Sequence, residues 1–355
     1  MAMTTTALQA IRNDYPSFLD RFELRPETYG LLKLAIANAT NPMGIISPDV
    51  LAQARTSWGR SNEIPVMSPT ANANGSGLTC TFTGTEAISD LIGVTYVSIS
   101  NGYEMQPAKN FQNEISYLQE NARKYTDMIR KIAAAVDASV DTAMTANITP
   151  EAEYASSYVG TGNRYPFTAN VMGVALANRP NFFNDLTDIM AADDLLPQFD
   201  VVGSTNLRSI ISQLFAQGQA NSANTEYQFT KGDFDFLFSN NLTLTPTTSD
   251  ATGIVMPKGA IAILNRNSPD CLAGNTAGGD HKFGTLFDPT LGMTMDTLDY
   301  SACGPISTES GNALDTTAVR EYHQVAIHYA ILTPYSNFAN SGVSSVIRKF
   351  DLLKV

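Results

Sequence analysis

Cysteine is scarce in this chain of 355 residues: only Cys80, Cys271 and Cys303 occur, far apart and with no CxxC pair. An odd, dispersed set encodes neither a disulfide framework nor a zinc site, and it predicts reduced thiols in a cytoplasmic setting. Charge is scarce too, with Asp, Glu, Lys and Arg making up 16% of the residues, below the usual quarter or so. What charge there is leans one way, 34 acidic against 22 basic residues for a net charge of -12. That balance argues against tight binding of nucleic acid, which draws on clustered Lys and Arg. A polar surface of low charge suits broad protein contacts instead, because charged residues are depleted from interface cores. No apolar run approaches the roughly 18 residues of a membrane span, and the opening MAMTTTALQAIRNDYP lacks a basic segment followed by an apolar core. Neither a membrane segment nor a signal peptide is therefore predicted.

Catalytic signatures are equally sparse. The sequence has no HExxH, no GxSxG, no GxGxxG, no P-loop and no EF-hand loop. Of three histidines, His281, His323 and His328, the last two are five residues apart, which puts them on opposite faces of a strand. They read as two partly exposed strand histidines rather than a metal site. Asp296 and Asp299 fall short of a calcium-loop pattern and read as solvated or turn residues. The pairs Asp193 and Asp194, and Asp233 and Asp235, could do acid-base work, but such pairs arise by chance among 34 acidic residues. No catalytic residue, cofactor site or metal site is predicted.

The strongest positive signal is PAKNFQNEISYLQENARKYTDMIRKIAAAVDASVDTAM, residues 107 to 144, without glycine and without proline after its first position. Phe111, Ile115, Leu118, Ala122, Tyr125, Met128 or Ile129, Ile132, Val136, Val140 and Met144 step by three and four, one face of a helix about 55 Å long. Such a helix needs an elongated partner to lie on. Before it, residues 27 to 39 predict a helix, and SPDVLAQARTSW predicts another, with Ser47 as N-cap and Pro48 at the first helical position. Residues 61 to 106 are rich in Thr, Ser, Gly and β-branched types and read as two or more strands in an extended loop. After the long helix come a helix in RPNFFNDLTDIMAADDLL, a strand at Phe199 to Val202 turning at Gly203 into a helix bearing Leu207, Ile210, Ile211, Leu214 and Phe215, and a half-buried strand in FDFLFSNNL. GIVMPKGAIAILNRN predicts a hairpin turning at Met256 to Gly259. TLGMTMDTLDY and REYHQVAIHYAIL predict strands separated by a loop, and SVIRKFDLLKV a last strand. The class is α+β.

In this order the pieces resemble the major capsid proteins of tailed bacteriophages with the HK97 fold. The likeness covers most of the chain and is carried by ISPDVLAQARTSWGRSNEIPVM, the helix at 107 to 145, LPQFDVVGSTNLRSIISQLF, FDFLFSNNL and REYHQVAIHYAIL. It implies an N-terminal arm (1–60), an E-loop reaching over a neighbour (61–106), a spine helix and the start of a peripheral domain (107–164), and an axial domain (165–283). Peripheral-domain strands (284–335), with a loop at 301–317 near threefold contacts, and a C-terminal segment (336–355) complete it. The resemblance implies a self-assembling icosahedral shell of hexamers and pentamers, formed in the host bacterial cytoplasm around double-stranded DNA that it encloses without sequence-specific binding. Partners would be further copies, a scaffolding protein, a portal and decoration proteins, with no membrane, no cofactor and no enzymatic role. Trp58, Phe82, Tyr103 and Pro305 are the candidate inter-subunit contacts. Shells of this kind are in some members welded by isopeptide bonds from an E-loop lysine; no lysine lies between Lys33 and Lys109, so no such weld is expected. No room for an internal N-terminal scaffold is read before the arm, so a separate scaffolding protein is expected. An encapsulin-like compartment shell is the close alternative. An acidic hydrolase is the alternative of another class, and a surface-layer protein would be expected to carry a secretion signal.

Overall fold

The computed structural model describes residues 29–39, 61–67, 89–106, 114–150, 154–216 apart from 155, 161, 194, 196 and 197, 229–242 apart from 232 and 233, 248–305 apart from 278 and 279, 317–333 and 346–354. Its elements in chain order are α1 (Gly30–Ala39), β1 (Ser61–Met67), β2 (Ser89–Thr95), β3 (Val97–Met105), α2 (Glu114–Ala146), β4 (Phe167–Thr168), β5 (Val171–Val174), α3 (Arg179–Ala192), β6 (Phe199–Ser204) and α4 (Thr205–Ala216). They continue with β7 (Phe229–Lys231), β8 (Phe234–Ser239), β9 (Ser249–Pro257), β10 (Ala262–Arg266), α5 (Pro269–Leu272), β11 (Thr276–Ala277), β12 (His281–Asp288), β13 (Met293–Pro305), β14 (Thr317–Leu332) and β15 (Arg348–Leu353).

Helix α2 has 33 residues, about 50 Å at about 1.5 Å each. Its stripe is buried as the spacing requires: Ala122, Tyr125, Met128, Ile129, Ile132, Val136, Val140 and Met144 are all within the core. The elongated partner is a six-stranded sheet built around β14. Strand β3 pairs with β14 over Glu321 to Tyr329, whereas β13 pairs with Thr317 to Ala326 and β10 with His328 to Leu332. Because β3 and β10 overlap at His328 and Tyr329, they must take opposite edges, and β10 and β13 share one edge end to end. Tyr117 bonds Glu321 near the start of β14 and Ser139 bonds Tyr329 near its end, so helix and strand run in the same direction.

A second sheet has the order β4-β5-β15-β9-β6-β8-β7. One face carries α3 and α4 over an aromatic cluster that includes Phe182, Phe183, Phe199, Phe234, Phe236 and Phe350. Its other face sends Val202, Leu237, Ile254 and Met256 into the same core as α1, α2 and the six-stranded sheet. This explains one departure from the sequence pattern. Strand β8 was expected to be half-buried, yet Leu237 and Ser239 on its second face are buried as well, because α1 crosses there. Gly30 starts α1 so close to β8 that a Cβ would fall 2.2 Å from the Phe238 carbonyl oxygen.

Three further expectations are corrected. The turn at Met256 to Gly259 exists, with Gly259 at φ 82° and Ala260 N–H donating to the Pro257 carbonyl. However, β9 and β10 do not form a hairpin, since β9 is hydrogen-bonded on both edges, to β15 and β6, and β10 joins β14 in the other sheet. The turn is a crossing between sheets. The 301–317 loop is shorter than expected, because Ser301 to Pro305 continue β13 in register out to Pro305 opposite Thr317. Lastly, the 61–106 segment divides: β1 and β2 form a two-stranded sheet of their own, whereas β3 is drawn into the six-stranded sheet along β14. The expected helix at 47–58 and the first residues of the long helix lie outside the described residues.

Candidate functional site at the joints between helices and sheets

The polar chemistry of this molecule is concentrated where its elements meet. Beneath the N-terminal part of α2, Tyr103 on β3 donates to Asn121 Oδ1 at 2.6 Å, and Tyr117 donates to Glu321. Beside them His323 Nδ1 meets Asp299 Oδ1 at 2.9 Å, with the Tyr103 and His323 rings 5.2 Å apart. The carboxylate can only accept, so Nδ1 carries the proton. His323 Nε2 and Asn121 Nδ2 are buried without hydrogen-bond partners. Burial, followed by the bond to Glu321, pushes the Tyr117 hydroxyl well above its ordinary range. This corrects the sequence reading for His323 and for the two aspartates, whereas His328 is partly exposed as expected. His323 is 1% exposed, and Asp296 and Asp299 are buried. The opposite-face prediction for the two histidines holds, since His328 bonds a different carboxylate, Asp296, at 3.1 Å. Burial alone would raise Asp296, but bonds from His328, Asn267 and Ser268 outweigh it and hold the carboxyl below its usual value.

A second joint is built on Asp137, a carboxylate of α2 that is wholly buried. Its Oδ1 accepts the Leu32 N–H of α1 at 2.7 Å, and its Oδ2 accepts from Ser239 Oγ at 3.0 Å and Asn241 Nδ2 at 2.6 Å. The first turn of a helix has free N–H groups and a positive dipole end, so a carboxylate is the natural cap. Burial raises the Asp137 carboxyl, and these bonds oppose the rise. One side chain thereby ties α2, α1 and the end of β8 together.

Arg348 makes the third joint. Its Nε and Nη2 donate to Asp193 Oδ2 at 3.2 and 2.9 Å, its Nη1 donates to Thr149 Oγ1, and its guanidinium lies 4.4 Å over the Tyr154 ring. Thr149 in turn donates to the Ile347 carbonyl through both N–H and hydroxyl. The end of α3, the segment after α2 and the last strand are thus locked by one buried ion pair. Asp193 is committed to that pair, and Asp194 lies outside the described residues. Asp235 pairs with Lys258, and Asp233 lies outside the described residues. Among the described residues no three His, Cys, Asp or Glu are grouped to hold a metal ion, and no helix is long and apolar enough to cross a membrane.

Of the four candidate contacts, Trp58 and Phe82 lie outside the described residues. Tyr103 is partly buried on β3 and uses its hydroxyl within the chain. Pro305 ends β13 opposite Thr317. Sequence reasoning passed over Asp137 and Arg348, although both leave a signal. Asp137 falls four residues after Ala133 on the buried side of the helical stripe. Arg348 alternates in phase with the apolar Phe350 and Leu352, a charge where the strand pattern calls for a core residue.

No family model matches the chain, and no curated protein matches it in sequence. Solved structures do match. The capsid asymmetric unit of cyanophage A-1(L) is 10% identical, with 96% of this chain and 95% of that one covered and a TM-score of 0.51. The fold is HK97-like. The capsid of Ralstonia phage GP4 (10% identity, 96% and 95% covered, TM-score 0.46) and the capsid asymmetric unit of cyanophage Pam1 (10%, 86% and 88%, 0.46) are also similar. Two of the three joints hold α2, one to the six-stranded sheet and one to α1, and the third holds the segment after α2 and the end of α3 to β15.

Proposed function

We propose that this chain is the major capsid protein of a tailed phage, whose work is assembly rather than catalysis. The observation that carries the reading is the HK97-like backbone matched end to end with a phage capsid subunit. Its composition agrees: a polar surface of low charge suits extensive contact between copies, and a net charge of -12 on every subunit repels rather than grips an enclosed polyanion. On this reading the β1–β2 sheet, separate from both large sheets, is the loop that reaches a neighbouring copy. Assembly proceeds in the bacterial host with a separate scaffolding protein, and portal and decoration proteins join the shell. Light scattering on the full chain co-expressed with the genes beside it is expected to give closed particles of megadalton mass. A monodisperse monomer or dimer under the same co-expression would overturn the reading. Boiled particles are expected to run as single-chain bands, without a covalent ladder.

A further inference from the structure

A cleft of about 400 Å³ opens between α1 and the seven-stranded sheet, lined by Lys33, Leu34, Ala37, Asn38, Asp200, Leu237 and Lys258. Its polar and charged groups are Lys33 and Asn38 from α1, Asp200 from β6 and Lys258 from the turn between β9 and β10, and Asp235 of β8 stands behind it near Asp200 and Lys258. Lys258 is committed to Asp235. Asp200 is only 4% exposed and Asn38 5%, yet Asp200 Oδ2 and Asn38 Nδ2 make no well-formed hydrogen bond, although the Asn38 amide lies close enough to the carboxylate to favour its charge weakly. A buried carboxylate beside a second carboxylate, with an oxygen left unserved, is an unfavourable place for negative charge.

We propose that docking of the arm helix α1 on the sheet is proton-linked, with Asp200 as the proton-binding group. Docked, α1 shuts water away from Asp200 and penalises its ionised form; undocked, the carboxylate hydrates and ionises freely. A proton therefore binds the docked state more tightly, and by linkage it stabilises docking. Burial first, and then repulsion from Asp235, push the Asp200 carboxyl up to about 6 from 3.8, against the opposing pull of Lys258 and Asn38. With the folded value raised, the stabilisation is full below about 4 and is lost as pH rises through about 6. When protonated, Asp200 becomes a donor, and the Asn38 amide can turn its oxygen to accept from it, completing a bond between helix and sheet.

The test is hydrogen–deuterium exchange of the peptide spanning residues 30–39 in the full chain, corrected for intrinsic rate. Protection is expected to be about tenfold higher at about pH 5 than at about pH 7.5. Asp200→Asn, uncharged and of equal size, is expected to be protected at both and to lose the pH dependence. Asp235→Asn should move the midpoint down and Lys258→Met should move it up, opposite shifts that loss of packing alone would not produce. An unchanged pH profile in Asp200→Asn, a flat wild-type profile, or shifts of the same sign in the two flanking variants would overturn the proposal. Failure to form particles would leave these outcomes readable, because the exchange is measured on the subunit itself.

Discussion

The two halves of the long helix α2 rest on different materials. From Tyr117 to Asn121 the helix sits on a polar pad of Tyr103, Glu321, His323 and Asp299; from Tyr125 to Met144 it sits on Val325, Ile327, α1 and the apolar face of the second sheet. The cause is written along one face of β14, where Glu321 and His323 give way to Val325, Ile327, Tyr329 and Ile331. The helix, running the same way, changes in step from Tyr117 and Asn121 to Ile129, Ile132 and Val136. Apolar burial is additive and non-directional, whereas each buried bond contributes only about 0.5–1.5 kcal/mol net. The second half should therefore carry the stability, and the first should fix the register of helix on sheet.

Substitutions can break that contrast, and all are read as loss of unfolding free energy of the unassembled chain in denaturant. Arg348→Ala, which strands the Asp193 side chain buried at the end of α3, is expected to cost about 3–5 kcal/mol. Ile132→Ala, in the apolar half, should cost about 2–5 kcal/mol. Asp137→Ala removes the acceptor of three donors and should cost about 1.5–3 kcal/mol, with the loss concentrated in exchange protection of α1. The smallest effect belongs to the polar half: Tyr103→Phe should cost about 1 kcal/mol. A Tyr103→Phe loss equal to that of Ile132→Ala would refute the division of labour.

Much of this plan was legible in the sequence, because periodicity reports which face is buried. The helical stripe and the Pro-Lys-Gly turn signal are local, and local signals survive without knowledge of partners. What was illegible depends on distant elements. Nothing near Met256 to Gly259 says that the strand after the turn will join another sheet, since that choice is made by β15 and β6 filling both edges of β9. Nothing near His323 says it will be covered, since its cover is a helix about 200 residues earlier in the chain. Asp137 and Arg348 were visible as charges in apolar phase, but such anomalies become joints only when their partners, Leu32 and Asp193, are brought alongside by the fold.

The central claim is that this body is a unit of a closed shell, and electron microscopy of particles from the native source tests it most directly. Uniform icosahedral particles, with the long helix traceable in every copy and β1–β2 lying against an adjacent one, are the predicted result. Compact monomers or dimers that never close into a shell, or shells in which β1–β2 folds back on its own subunit, would contradict it.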